Sequence, residues 1–274
     1  MLEKFKATEY AKVQPLFQGA YLTLILDSVL AGNSTGEIWV DDAAHPQTAL
    51  MWDNAHIFYL VGRADNLTFN QQLGELFIRQ LTPAARERGI DGFKILYSSS
   101  VWENHMNVVF PTLTLTQHPR VVYTLAELKL PNWRKQLLPG FTMRQIDQAL
   151  LTDAALGNLP DLVQEIKECW PSQEHFLRNG FGFCLLGDNE IICRCTAEYV
   201  SAGKCGIGIA TAEAYRQRGF AALTASAFIE YCLDRQITPY WDAWLRNAAS
   251  VATAEKIGLH KIQTYSAYIG PLPA

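Results

Sequence analysis

Apolar positions repeat along this chain with two periods, and the switches between them outline its elements. Glu37–Val40, Thr48–Trp52 and Ile57–Gly62 are short β-prone runs closed by turn residues, and they predict three strands. From 69 to 88 the spacing becomes helical, with Leu73, Leu76, Phe77 and Leu81 on one face. Residues 93–98 read as a further strand, and residues 1–30 read as helical. Pro111, Pro119, Pro131 and Pro139 then break the pattern, which predicts a domain junction between 130 and 140.

The second half begins with a strand (142–146), a helical region (152–168) and a short helix (172–178). Three strands follow, at 181–186, 190–199 and Lys204–Thr211. Gly187-Asp188-Asn189 and Ser201-Ala202-Gly203 supply the hairpin turns between them. A turn leads into the helical spacing of Ala221, Ala225, Phe228, Ile229 and Cys232. An aromatic strand spans 237–244. In the helix after it, Val251, Ala254 and Ile257 fall three apart, Asn247 or Ser250 caps the start, and Gly258 stops the end. Residues 261–269 are β-prone again. The order predicts an α+β fold. A mixed sheet flanked by helices fills residues 140–274, and a smaller α/β domain fills 1–135.

The mouth of the helix near residue 219 carries the chemistry. The first N–H groups of a helix have no internal partner, and the dipole makes that end positive. Stability alone calls for Asp or Glu there. Arg216 and Arg218 do the reverse, and Gly219 removes a Cβ where a phosphate would approach the backbone. An anion is therefore expected. The net charge is −4, so the attraction has to be local, and neither nucleic acid nor an anionic membrane is an expected partner. The longest apolar run (20–31) is interrupted by Asp27 and is too short to span a bilayer. The first residues lack a signal-peptide layout, so a cytoplasmic location is expected. The six cysteines contain no C-x-x-C, and Cys193 and Cys195 share a strand face. They read as buried reduced thiols rather than metal ligands.

The segment Arg216-Gln217-Arg218-Gly219-Phe220-Ala221 resembles the Q/R-x-x-G-x-G/A motif of the GNAT superfamily of N-acetyltransferases. Asn247 through Leu259 is similar to that family's next motif, an Asn at a strand end followed by a helix closing in E-K-x-G-F. Thr211, Tyr215-Arg216, Gly219 and Pro239-Tyr240-Trp241-Asp242 resemble the zwittermicin-resistance type subgroup. The resemblance covers about 141–270. It implies acetyl-CoA as donor and direct attack of an amine on the thioester. Ile209, Ala210 and Thr211 would meet the pantetheine arm. Arg216, Gln217, Arg218, Gly219, Phe220 and Ala221 would hold the diphosphate, and Asn247 and Ser250 would also contact the co-substrate. A backbone N–H near Ile209 would stabilise the oxyanion.

This chain departs from that family at its proton-handling positions. Ala254 stands where many members have a Tyr, and the strand Cys205-Gly206-Ile207-Gly208-Ile209 lacks the usual carboxylate. Glu198, Asp242 and Tyr268 are the substitute candidates for catalysis; each also has an ordinary structural reading as a solvated, hydrogen-bonding or packing residue. A non-catalytic acyl-CoA-binding or sensing protein on the same scaffold stays open as the alternative. The acceptor is expected to be a primary amine of a small molecule, with an amino-polyol, an amino acid or a protein N-terminus left open, with no metal, in a monomer or homodimer. The first half has strands, a long helix and a strand followed by Trp102 and Asn104. That order parallels the second half without its R-x-x-G-x-A, so it is either a degenerate copy or an unrelated cap.

Overall fold

The computed structural model describes residues 2–273. In chain order the first elements are β1 (Glu3–Lys4), α1 (Ala20–Leu30), β2 (Glu37–Val40), β3 (Thr48–Trp52) and β4 (Ile57–Gly62). They are followed by α2 (Leu67–Leu76), α3 (Thr82–Glu87), β5 (Gly92–Tyr97), α4 (Met106–Val109) and β6 (Thr116–Leu125). Next come β7 (Thr142–Gln145), α5 (Gln148–Leu151), α6 (Leu159–Cys169), α7 (Gln173–Asn179), β8 (Gly182–Gly187) and β9 (Glu190–Ser201). The chain ends with β10 (Lys204–Thr211), α8 (Phe220–Asp234), β11 (Thr238–Trp244), α9 (Ala248–Ile257) and β12 (Leu259–Pro271). This is a mixed α+β fold, as the two hydrophobic periods imply.

Two compact units form. One holds residues 2–30, Thr35–Pro119 and 265–273; the other holds Ala31–Ser34 and Arg120–Thr264. The division falls inside β6, not between 130 and 140. Residues 130–140 belong to the second unit, where Trp133 is buried and donates from Nε1 to Glu230 on α8 (3.2 Å).

In the first unit β1, β2, β3 and β4 form an antiparallel meander, and β5 runs parallel to β4. The end of β12 pairs antiparallel with β5, Tyr268 opposite Ile95. Phe58, Phe77, Phe93 and Phe110 interlock at ring distances of 4.8–5.8 Å and dominate the core. The helix expected over 69–88 starts at Leu67, where Asn66 caps it by accepting from Phe69 N (3.1 Å). It is interrupted by a π-helical turn at Phe77–Leu81 before α3, which has a proline in its first turn. The helical reading of residues 1–30 does not hold over the described residues 2–30. They form β1, a 3-10 stretch (Ala7–Leu16) containing Pro15, and α1, set off by Gly19 at φ 95°.

In the second unit β7, β8, β9 and β10 are antiparallel, β11 is parallel to β10, and β6 is antiparallel to β11. α8 packs Phe228 and Cys232 against Cys195, Cys205 and Ile207 on one face of this sheet. α6 brings Leu162 and Ile166 into a second core with Cys184 and Ile191. α6 begins at Leu159 instead of 152, because 152–158 is spent in turns and Pro160 fits its first turn. Five of the six cysteines are buried, all are free thiols, and Cys169 is partly exposed.

Candidate active site

β10 and β11 pair only at Lys204–Gly206 opposite Thr238–Tyr240. Past that point β10 stays on β9 as far as Thr211, and β11 stays on β6 as far as Trp244. The two strands therefore part. Ala212 N donates to Ile192 O on β9 (2.9 Å). Alternation then turns the main-chain groups of Ala210 and Gly208 toward β9, and those of Ile209 and Thr211 into the gap. A bulge lies beside the point of parting. The register slips between Lys204 and Gly206, and Tyr199 sits at φ 49°. An extra residue of this kind adds local twist. The gap opens into a cleft of about 450 Å³, with Ile209, Ala210 and Thr211 on one wall and Trp241 on another.

At the end of β10 a 3-10 turn (Glu213–Tyr215) leads to Gln217 at φ 63° and Gly219 at φ 81°. Gly219 is the N-cap of α8 and offers no side chain to it, and no acidic residue lies in the first turn. The first helical bond runs from Leu223 N to Gly219 O (3.3 Å). Among the described residues the N–H groups of Arg218 through Ala222 have no protein acceptor. Such a run of open amides is an anion-binding concavity. Arg216 donates from Nε to Thr211 O (3.3 Å), and with Ala221 it lines the cleft. Arg218 lies over the Tyr215 ring, 5.2 Å from its centroid.

The opposite wall is α9. Asn247 caps it, accepting at Oδ1 from Ser250 N (3.2 Å), and Ser250 Oγ accepts from Trp241 Nε1 (2.9 Å). This locks α9 to β11 and leaves the Ser250 proton available to the cleft. Ala249 and Thr253 continue the wall. Ala254 is fully buried in the core and presents no polar group.

Strand register puts Glu198, Gly208, Tyr240 and Asp242 on one face of the sheet. A Cβ placed on Gly208 would collide with Glu198 Oε1 and lie 2.9 Å from Thr196 Oγ1. The Glu198 carboxylate thus occupies the space that a side chain at 208 would fill. The Cys169 thiol hydrogen-bonds Glu198. Burial, then the carboxylates of Glu198, Glu165 and Glu168, hold that thiol well above its ordinary range, so it stays a donor. Asp242 is engaged differently. Arg120 donates to its Oδ2 from Nη2 (2.6 Å) and Nε (3.0 Å), and the two side chains are 11% and 4% exposed. The Arg120 guanidinium also stacks 4.2 Å from the Trp244 ring. Tyr268 belongs to the first unit, where its ring lies 5.8 Å from that of Tyr97, and it does not line the cleft.

The sequence model of the GNAT acetyltransferase family matches residues 14–268. The chain belongs to that family. The match runs through both units, well beyond the 141–270 that the motifs alone marked out. The chain is 24% identical over 268 residues to a protein named "Uncharacterized N-acetyltransferase YdfB" from Bacillus subtilis (strain 168), covering 98% of each. A GCN5-related N-acetyltransferase-like protein from Streptococcus suis 89/1591 superposes with a TM-score of 0.70 at 25% identity, over 96% of this chain and 99% of that one. A tandem GNAT protein from the clavulanic acid biosynthesis pathway shares the fold at a TM-score of 0.61 and 10% identity, over 100% and 99% of the two chains.

As a GNAT acetyltransferase the chain brings Ile209, Ala210, Thr211, Arg216, Ala221, Asn247 and Ser250 to a single cleft, with Gln217, Arg218, Gly219 and Phe220 on the turn beside it. Three contributions went unread in the sequence. Ala249, Thr253 and Lys256 recur at helical spacing and form one face of α9. Arg120 is the partner of Asp242, 122 residues away. The third, Gly206-x-Gly208, was legible. Glycines two apart inside a strand mark the close approach of a neighbour on one face.

Proposed function

We propose that this GNAT acetyltransferase moves an acetyl group from acetyl-CoA to a primary amine of a small molecule, by direct attack of the amine on the thioester. The observation that carries the reading is the parted strand edge of β10, which runs straight into the open amides of Arg218–Ala222. A pantetheine arm is an amide chain, and the main-chain groups of Ile209 that face the gap suit it as a strand edge suits an added strand. The diphosphate belongs on the amides at the α8 mouth, with Arg216 and Arg218 adding charge-assisted bonds. Asn247 and Ser250 contact the thioester end. The N–H of Ile209 is the oxyanion donor. Glu198 is the general base, because its carboxylate lies over Gly208 on β10, beside the strand that carries that donor. Asp242, held by buried Arg120, keeps the structural role of fixing β11 to β6.

Within the same reading we keep the zwittermicin-resistance type resemblance, which points to amino-polyol acceptors. The test has two parts. Acetyl-CoA should raise the melting temperature, since a ligand that binds only the folded state stabilises it. Gly219→Glu should abolish that shift, because it sets a carboxylate in the diphosphate path at a φ of 81°. Free-thiol release across a panel of amines, amino-polyols included, then reads the transfer. Retention of the thermal shift in Gly219→Glu would sink the diphosphate assignment, and thermal shift without thiol release for any amine would sink the transfer.

A further inference from the structure

Three hydroxyls line the cleft, on Thr211, Ser250 and Thr253. Two of them have committed their protons. Thr211 Oγ1 donates to Cys193 Sγ (3.2 Å), and Thr253 Oγ1 donates to Ala249 O (2.8 Å). Ser250 is arranged the other way round. Trp241 is buried, and a buried indole N–H needs an acceptor. Trp241 Nε1 donates to Ser250 Oγ (2.9 Å), which occupies the oxygen and turns the O–H away from the indole. Among the described residues that O–H has no protein acceptor, so its proton is available to the cleft. Ala254, one turn further along α9, adds nothing polar. Asn247 is exposed, whereas Ser250 is held to the core through Trp241.

The place of this hydroxyl decides what it meets. β10 and β11 last pair at Gly206 and Tyr240, and Trp241 is the next residue. Ser250 therefore stands where the strands begin to part. Arg216 donates to Thr211 O at the other end of β10, roughly 16 Å along the strand from Gly206. A co-substrate with its diphosphate at the α8 mouth and its arm along β10 brings its reacting end toward Ser250. In the transfer the amine nitrogen bonds the acetyl carbon, the C–S bond breaks, and its electron pair goes to sulfur. The amine proton passes to Glu198, and water supplies the proton that converts the departed thiolate to a thiol. The N–H of Ile209 serves the carbonyl oxygen, which leaves sulfur as the other atom that gains charge. Ser250 lies in the first turn of α9, where the helix dipole also favours an anion. A serine hydroxyl is a weaker acid than a thiol, so its proton stays on oxygen and is shared. We infer that Ser250, its oxygen held by Trp241, donates a hydrogen bond to the leaving sulfur and stabilises the thiolate as the C–S bond breaks. The inference rests on the acetyl-CoA reading above and adds the leaving-group donor to it.

Titration calorimetry with CoA and with desulfo-CoA, in which hydrogen replaces the thiol, tests it without an acceptor. A donor aimed at sulfur favours the bound thiolate over the bound thiol. The preference for CoA over desulfo-CoA should therefore grow about tenfold between about pH 7 and about pH 9, as expected for a hydrogen bond to a charged group. The desulfo compound cancels titration of the protein's own groups, Glu198 among them. Ser250→Ala should lose that growth, and Ser250→Thr, which keeps the hydroxyl, should retain it. Ser250→Ala also leaves Trp241 Nε1 without its acceptor, so titrations are run well below the melting temperature of each variant. Steady-state thiol release gives the second readout. In Ser250→Ala kcat should fall about tenfold or more while KM for acetyl-CoA stays within about twofold. A hydroxyl that only holds Trp241, or that serves the carbonyl oxygen, leaves the pH-dependent preference intact in Ser250→Ala, and that result overturns the inference. A wild-type preference that stays flat with pH overturns it, and so does wild-type kcat in Ser250→Ala. Failure of both ligands to bind the wild type overturns the acetyl-CoA reading and this inference with it. A preference that grows with pH and is lost in Ser250→Ala, with no amine acetylated, supports the donor to sulfur and overturns the transfer.

Discussion

Gly208→Ala is the sharpest probe of the proposed base, because it displaces Glu198 without altering it. The added methyl would lie 3.1 Å from Glu198 Cδ and 2.9 Å from Thr196 Oγ1, and would overlap Glu198 Oε1. Ordinary contacts need roughly 3.5 Å, so the carboxylate has to move by on the order of 1 Å. The backbone does not resist the change, since Gly208 is not among the positive-φ residues. The moving group is the tip of a flexible side chain, so the melting temperature should hold within a few degrees. Activity should not hold. A displacement of about 1 Å costs on the order of 100-fold when the moved group must meet a reacting proton, or about 2.7 kcal/mol of barrier. Glu198→Gln, which removes the base, should cost roughly 10²–10⁴-fold and erase the acid limb of the pH profile of kcat/KM. The double variant should be no slower than Glu198→Gln alone, because both changes disable one group. Steady-state thiol release reads all three, with KM for acetyl-CoA held as a control. Wild-type kcat/KM in Gly208→Ala would refute the reasoning, and so would a double variant that loses the product of the two single effects.

Two further predictions concern stability. Asp53 accepts at Oδ1 from Ala55 N (2.8 Å) and Ile57 N (3.0 Å) in the turn between β3 and β4, yet burial pushes its pKa up to about 6. Its contribution is therefore full below about pH 4 and is lost as pH rises through 6. Asp53→Asn keeps the accepting oxygen and should stabilise the protein at pH 8 by at most about 3 kcal/mol, with the gain vanishing toward pH 4. A pH-independent difference in urea midpoints would contradict this. Asp242→Asn leaves Arg120 buried without its counter-ion and should destabilise by about 3–5 kcal/mol, whereas replacing both residues with apolar ones of similar size should cost far less. A fully stable Asp242→Asn that is catalytically dead would show that Asp242 belongs to the chemistry instead.

The features legible in the sequence are those that short-range chemistry encodes. Gly219, Arg216 and Arg218 announce the helix mouth because an αL cap and unpaired cations are local choices. The strands β2, β3, β4 and β10 were readable to the residue from their apolar runs and turns. The cleft itself was not readable, since it depends on which strand leaves which. Nothing in Ile207–Thr211 states that β11 will depart after Tyr240. Arg120 and Asp242 meet across two strands far apart in sequence, and only the register of β6 on β11 makes them partners. The helix over 69–88 kept its apolar face, but its π-helical turn is a packing adjustment with no residue signature beyond Pro83 in the turn that follows.

The two units share a strand order, yet this cleft opens in the second. Each has an antiparallel meander, a helical crossover and a strand parallel to the one before it: β2-β3-β4 with β5, and β8-β9-β10 with β11. In the first unit the parallel pair stays closed from Ile57–Lys94 to Leu60–Tyr97. Ser98 N then donates to Leu60 O (3.0 Å), and Gly62 N donates to Ser98 Oγ (3.1 Å). Leu60 O and Gly62 N at that edge thus already have partners. The helix that follows is capped by Asn66, which takes the Phe69 N–H that an anion would need. Binding a co-substrate in the first unit would require breaking a ladder and removing a cap, each at a cost of about 1 kcal/mol or more per group. In the second unit the main-chain groups of Ile209 face the gap, and Gly219 gives α8 no side-chain cap. If acetyl-CoA binds where we propose, the two units of this GNAT acetyltransferase differ in a strand edge and a helix cap, and not in the topology they share.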